Sequence, residues 1–246
     1  MIERYFGINF NPIPNAVLDD IDKAVNDGKA GYVCVVDGNI LAMTHKDSDY
    51  LEVIDGSMFS IMDSSWIPVY VKLIYGKRYP QYNGSMIFDD ITRMRKYNMC
   101  FLGASNDILV PLKEKMTNVD PAIGGMEFME LPFCKVDEFD YKSIADAINA
   151  KNPDIVWLSL GAPKQEQFTG RLCRYLNRGV VIPVGAVFKF RSGTGEKRAP
   201  RWMIKCHLEF VYRLFSDPGK QIRRCLTILG TLPGIFFKEL KRSKNK

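Results

Sequence analysis

The chain has 246 residues, 46% hydrophobic and 25% charged, with 34 Lys and Arg against 28 Asp and Glu for a formal charge of +6. These values exclude a disordered chain, a collagen-like repeat and a polytopic membrane protein, and the length suits one large α/β domain or two small ones. The charge is unevenly spread: residues 201–246 hold 11 basic and only 3 acidic residues (Glu209, Asp217, Glu239), so this tail carries +8 and residues 1–200 carry −2.

The N-terminus, MIERYFGINFNPIPNAV, lacks the charged and apolar regions of a signal peptide. AVLDDIDKAVNDG (16–28) comes next, with Val17, Ile21 and Val25 at four-residue spacing and Gly28 as a C-cap, which predicts a helix. YVCVV (32–36) is a short apolar run bounded by glycine and aspartate, the pattern of a strand buried on both faces. The DxD string Asp47-Ser48-Asp49 precedes the helical stretch DYLEVIDGS, so it reads as an N-cap in preference to a metal-bound nucleotide-sugar site.

MFSIM (58–62) and MCFLG (99–103) predict further strands. NDILVPLKEKM (106–116) predicts a helix capped by Asn106, demoted or kinked at Pro111. YKSIADAINA (141–150), IVWLSLG (155–161), PKQEQFTGRLCRYLN (163–177) and VVIPVG (180–185) continue the alternation of helix and strand. Strands alternating with helices imply an α/β fold, a mostly parallel sheet with helices on both faces.

Cys34, Cys100, Cys134, Cys173, Cys206 and Cys225 have no CxxC or metal-ligand spacing, and read as reduced core thiols of a cytosolic protein. His45 and His207 stand far apart without neighbouring ligands, which argues against a zinc site or a histidine-based triad.

Ligands of open α/β sheets bind beyond the carboxyl ends of the strands. The residues there are Asp63-Ser64-Ser65, Gly103-Ala104-Ser105-Asn106, Gly161-Ala162-Pro163-Lys164-Gln165-Glu166 and Gly185. Glycines admit a ligand to the backbone, helix N-termini favour phosphate, and Asp63 supplies a carboxylate. The layout suits a nucleotide-type pocket with a base. A well-capped helix start is the lesser alternative for GAPKQE (161–166), and GTGEKRAP (193–200) matches neither GxGxxG nor GxxxxGK[ST].

In the tail, 198–224 interleaves Arg and Lys with Trp202, Phe210, Tyr212 and Phe215. CLTILGTLPGIFF (225–237) comes after it, thirteen uncharged residues before KELKRSKNK. That is short of the roughly 20 residues needed to span a bilayer. Apolar residues with dense basic flanks fit a segment lying in an anionic headgroup layer. Single-stranded nucleic acid is disfavoured by the apolar run, and a core helix with a basic end is the structural alternative.

GAPKQE, a VGA-F-x-F stretch at 184–190, RAPRW, and LEFVYRLFSDPGKQIRR occur in this order. On these motifs the chain, from about residue 15 to 225, resembles the WecG/TagA/CpsF glycosyltransferases (glycosyltransferase family 26). The resemblance implies a Rossmann-like core over 1–197 and a basic C-terminal helical appendage over 198–246. It further implies inverting transfer from a nucleotide-sugar, usually UDP-linked, to a polyprenyl-diphosphate-linked sugar at the cytoplasmic membrane face. The products would be surface polysaccharides, made without a metal or other cofactor and without a nucleic-acid partner. The appendage suggests a homo-oligomer that changes at the membrane.

Carried over by motif, Asp63 matches the family's catalytic base, although Ser64 succeeds it where the family has Gly. Arg78 in KRYPQYNG matches an arginine suited to the departing diphosphate, and Gln165 the functional glutamine of PKQE. Gly103, Ser105, Gly161, Lys164, Gln165, Glu166 and Gly185 form the expected donor side. Arg213, Arg223 and Arg224 match appendage arginines for the lipid diphosphate. The departures are Val35 and Asp37 in place of Thr-x-Asn, Lys189 in place of an aspartate near the donor base, and Gly124-Gly125-Met126 in place of G-Y-F. They motivate a second hypothesis, a non-catalytic relative that binds nucleotide-sugar or lipid diphosphate within a synthesis complex. A dehydrogenase is disfavoured by the missing GxGxxG.

Overall fold

The five apolar runs form the parallel centre of an eight-stranded sheet, ordered β1-β2-β4-β3-β8-β7-β5-β6. We describe it from a computed structural model, which describes residues 2–194, 203 and 218–244. The strands are β1 (Glu3–Tyr5), β2 (Ile8–Phe10), β3 (Ala30–Val36), β4 (Phe59–Met62), β5 (Met99–Gly103), β6 (Glu127–Met129), β7 (Ile155–Ser159) and β8 (Gly179–Pro183). Among the described residues only β1 is antiparallel, joined to β2 by the tight turn Phe6–Gly7, with φ of 53° and 81°. Positive φ at both turn residues matches the strand twist of a two-residue hairpin.

The alternating residues of each central strand face opposite sides. Cys34, Val36, Cys100, Leu102, Val156, Leu158 and Val181 enter one core. Val33, Val35, Met99, Phe101, Ile155, Trp157, Val180 and Ile182 enter the other. Strands buried on both faces have no polar side to show, which is why they read as unbroken apolar runs.

The first core is covered by α2 (Gly38–Thr44), α3 (Ser48–Asp55), α4 (Trp66–Tyr75), α7 (Tyr141–Lys151), α8 (Lys164–Leu172) and α10 (Pro218–Lys244). The second is covered by α1 (Pro14–Asn26), α5 (Gly84–Met94), α6 (Asn106–Val119) and α9 (Val187–Ser192). Phe88 of α5 packs on Trp157 with ring centroids 4.8 Å apart and meets Phe101 and Phe188 edge-on at 6.3 and 6.2 Å. Each such buried side chain contributes roughly 1.5–3 kcal/mol of transfer free energy.

Gly28, φ 63°, comes directly after the C-cap Asp27 of α1. The DxD string is the start of α3: the Asp47 side chain accepts the Tyr50 N–H at 3.0 Å. Three sequence expectations need correction. The N-cap of α6 is Ser105, one residue before Asn106. Pro111 lies inside α6, which continues to Val119; one missing N–H is tolerated where Leu109, Leu112 and Met116 are buried. Helix α8 stops at Leu172, and the residues to Asn177 continue without helix.

The described cysteines, Cys34, Cys100, Cys134, Cys173 and Cys225, are free thiols. Burial pushes the Cys100 and Cys173 thiols up to about 12. Cys206 and His207 lie outside the described residues.

The apolar run of the tail belongs to α10, a helix of 27 residues, or roughly 40 Å of length. Its run divides between two faces. Leu232 and Ile235 are buried and Ile228 packs partly against the first core, on α2 and α4. The helix packs close to the start of α2: a Cβ on Gly38 would be in ordinary contact with Ile228 Cδ1 at 3.8 Å and Leu232 Cδ1 at 3.9 Å. Glu239, a lone acid among the basic residues of the last turns, is buried and accepts from the Phe6 N–H at 2.9 Å and the Tyr75 hydroxyl at 2.6 Å. The run is therefore both core helix and surface: Leu226, Leu229 and Phe237, with Ile222 just before them, are exposed on the outer face. Among the described residues no helix is long and apolar enough to cross a membrane.

Candidate active site

The parallel order places the strand-end residues in one row along the carboxyl edge. From β4 to β5 these are Asp63, Asp37, Gly185, Gly161 and Gly103. Chain connections leave β3 toward β4 on one side and reach β8 from the other, so the crevice at β3/β8 is where such sheets take ligands.

Asp63 comes directly after β4. Its N–H donates to the Val36 carbonyl at 3.0 Å, and its Oδ1 accepts the Gly84 N–H at 2.9 Å. Gly84 opens α5, so a helix N-terminus faces the carboxylate, the favourable end for an anion. Gln81 Nε2 donates to the Asp63 carbonyl at 2.5 Å, pinning the loop before α5 to the strand end.

Asp37 stands beside Asp63 on the neighbouring strand, one residue beyond the Val36↔Met62 pair. Its Oδ1 caps α2, accepting from the N–H groups of Asn39 and Ile40 at 2.9 and 2.8 Å. Its Oδ2 pairs with Arg224 of α10. Arg224 thus reaches the β3 strand end from the tail and meets a carboxylate there. Arg223 belongs to α10, and Arg213 lies outside the described residues, as do RAPRW and the LEFVYRLFSD stretch.

On the β7/β8 side, Ser159 Oγ donates to the Gly185 carbonyl at 2.6 Å, tying two strand ends together. Gly185 and Gly161 have φ of 57° and 81°. Gly103, φ 88°, lies so close to β7 that a Cβ would fall 2.7 Å from the Ser159 carbonyl oxygen. Ser105, exposed, caps α6 without a side-chain hydrogen bond to the helix, and the first N–H groups of a helix have no partner within it. Gln165, buried in the first turn of α8, accepts the Gly161 N–H on Oε1 at 3.0 Å and donates from Nε2 to Glu166 at 2.8 Å. Glu166 is fully buried, its other oxygen taken by the Tyr50 hydroxyl at 3.0 Å. Burial pushes its carboxyl up to about 7.

Two expected residues, Lys164 and Arg78, and the departure Lys189 stand off this row. Lys164 turns toward the segment after β6, donating to the Cys134 carbonyl and lying over the Phe139 ring at 4.9 Å. Arg78 is exposed at the β1 margin, where its neighbours Lys77 and Tyr79 both bond to Glu3 at 2.6 and 2.8 Å. Lys189 is exposed on α9. Gly124 and Gly125 form a 3-10 turn before β6, and Met126 comes just after it. Sequence reasoning missed Tyr50, Ser159 and Gly84. Only Gly84 left a local signal, the Asn-Gly pair before a helical stretch.

A parallel sheet with glycine-bordered strand ends, helix N-termini and a carboxylate along one edge is the layout in which α/β enzymes take phosphorylated ligands. The sequence model described as "Glycosyl transferase WecG/TagA/CpsF family" matches residues 3–246, and the chain belongs to that family of glycosyltransferases. It is similar to an N-acetylglucosaminyldiphosphoundecaprenol N-acetyl-beta-D-mannosaminyltransferase of Bacillus subtilis (strain 168), 28% identical over 93% of this chain and 87% of the relative. Proteins of the same name from Bacillus spizizenii and Staphylococcus aureus (strain MW2) are 27% and 25% identical, each over 83% of this chain and over 78% and 76% of their own lengths.

Proposed function

We propose that this glycosyltransferase moves a sugar from a nucleotide-sugar, of the UDP-linked type, to a sugar carried on a polyprenyl diphosphate, with inversion at the anomeric carbon. The observation that carries the reading is Asp63, held by Gly84 at the end of β4 and in one row with Gly185, Gly161 and Gly103. The acceptor hydroxyl oxygen attacks the anomeric carbon, its proton passes to the Asp63 carboxylate, and the carbon–oxygen bond to the nucleoside diphosphate breaks. Gly161, Gly185 and the N-terminus of α6 suit the donor's diphosphate, which needs backbone access and N–H donors.

The acceptor diphosphate enters from the α10 side, where Arg224 already lies against Asp37. Arginine suits a diphosphate because its planar fork bonds two oxygens at once. In this reading arginines meet the diphosphate charge in place of a metal, and the Asp47 side chain serves as the cap of α3. The exposed stripe of α10, with Lys241, Arg242 and Lys244 in its last turn, lies on an anionic membrane surface at the cytoplasmic face.

The test is transfer from UDP-sugars to a polyprenyl-diphosphate-linked sugar, with and without chelator, for the wild type and Asp63→Asn. Loss of a general base lowers kcat about 10²–10⁴-fold, while the asparagine oxygen still accepts from Gly84 and the fold is kept. Unchanged turnover in Asp63→Asn removes Asp63 from the role.

A further inference from the structure

Glu166 has no part in the reaction as written, yet it is the fully buried carboxyl closest to the crevice in sequence, directly after Gln165. Burying a carboxyl costs free energy that a leucine of similar volume would avoid. What a leucine cannot supply is an acceptor aimed at Gln165 Nε2. The carboxyl itself is fixed by the hydroxyl of Tyr50, a buried residue on α3.

The two ends of a carboxamide are alike in shape and opposite in polarity. At Gln165 the Gly161 N–H faces Oε1 at 3.0 Å and the Glu166 oxygen faces Nε2 at 2.8 Å. A rotation of the amide by half a turn would set N–H against N–H and oxygen against oxygen, so only one orientation satisfies both neighbours. That orientation leaves one N–H and one oxygen lone pair unused. They lie beside the strand-end glycine of β8, since a Cβ on Gly185 would be 3.5 Å from Oε1 and 3.9 Å from Nε2.

We propose that Glu166, held by Tyr50, is a positioning residue that fixes the carboxamide of Gln165 and so the one donor and one acceptor this side chain presents to the sugar-diphosphate of the donor. The inference rests on the proposed function for what Gln165 contacts, but the orientation itself does not depend on it. Glu166, expected on the donor side, is fully buried with both oxygens engaged, so in this role it acts through Gln165 and does not touch the substrate.

A double-mutant cycle in turnover tests this. Glu166→Leu lowers kcat about 10–100-fold, the cost of misplacing a positioned group. Glu166→Gln, whose carbonyl still accepts from Gln165, stays within about threefold. In a Gln165→Ala background Glu166→Leu costs less than about twofold more, because the residue it acts through is gone. Equal losses in both backgrounds, or a Glu166→Gln as inactive as Glu166→Leu, overturn the proposal. Tyr50→Phe, which removes one hydroxyl, gives the same background dependence if Glu166→Leu fails to fold.

A second readout is independent of activity: the side-chain amide signals of Gln165 in protein labelled with ¹⁵N-glutamine. In the wild type they are slow to exchange with solvent, and Glu166→Leu or Tyr50→Phe speeds their exchange while the other glutamines are unmoved. Unaltered Gln165 exchange in both variants overturns the proposal. The expected exchange pattern, in a protein inactive with every nucleotide-sugar, counts against the proposed function and leaves the positioning role standing.

Discussion

The two flanks of the crevice are built differently. On the β7/β8 flank, Gln165, Glu166 and Tyr50 are buried, and their mutual hydrogen bonds are shut away from water. On the α10 flank, Arg224 and Asp37 keep 27% and 24% of their side-chain surfaces exposed, and the outer face of the helix is an apolar stripe. The first flank is set before any ligand arrives. The second is held partly by an ion pair that solvent and salt can reach. On the function proposed above, this difference suits a lipid-linked acceptor, because a donor site profits from preorganisation and a membrane-borne substrate must be let in.

Within α10 the same contrast recurs residue by residue. Leu232 is 7% exposed and Leu229 is 71% exposed, three positions apart on one helix. Leu232→Ala opens a cavity under α2 and destabilises the protein by about 2–5 kcal/mol in urea unfolding. Leu229→Ser stays within about 0.5 kcal/mol and instead lowers partitioning onto anionic vesicles. Equal unfolding midpoints for the two variants would mean that α10 is not anchored through its inner face.

The buried flank has a pH signature. The Glu166 carboxyl is raised from the ordinary 4.5 to about 7 by burial, so the folded state holds its proton where the unfolded chain has released it. Its contribution to stability is fully present below about pH 4.5 and is lost as pH rises to about 7, a fall of roughly 3 kcal/mol at about 1.4 kcal/mol per unit. Stability of the wild type relative to Glu166→Gln, measured by urea unfolding from pH 4.5 to 8, declines over that window. A flat difference would place the carboxyl in contact with water. Nothing comparable is expected from the exposed stripe.

The legibility of these flanks in the sequence depends on the distance over which each is built. The doubly buried strands are plain because both faces are apolar, and the helices α1 and α7 because their apolar residues recur on one face. Asp63, Gly103, Gly161 and Gly185 are legible because each sits at the carboxyl end of a strand that is itself easy to read. Tyr50 could not be found, since its partner lies 116 residues away and a tyrosine on a helix looks like any core aromatic. Helix α4 was missed because WIPVYVKLIY combines β-branched residues with a proline that only a first turn tolerates. The amphipathic split of 225–237 was hidden for a simpler reason. An uncharged run marks its apolar side chains without saying that one side is covered by α2 and α4.

The smallest expected effect tests the comparison most finely. Asp37→Asn keeps the oxygen that caps α2, asparagine and aspartate being equivalent caps, and removes only the charge facing Arg224. A pair of this exposure is worth at most about 1 kcal/mol, so the unfolding midpoint barely moves. The C-terminal half of α10 stays seated by Leu232, Ile235 and Glu239. Its first half has lost its polar tether, and backbone hydrogen exchange around 222–228 speeds up while that around 232–239 does not. Salt should do the same to the wild type and little to the variant, because it screens an ion pair and leaves apolar burial in place. Faster exchange along the whole helix would make Asp37 an anchor of the fold. Unchanged exchange at 222–228 would show that Arg224 is held there by something other than Asp37, and the α10 flank would then be as fixed as the one opposite.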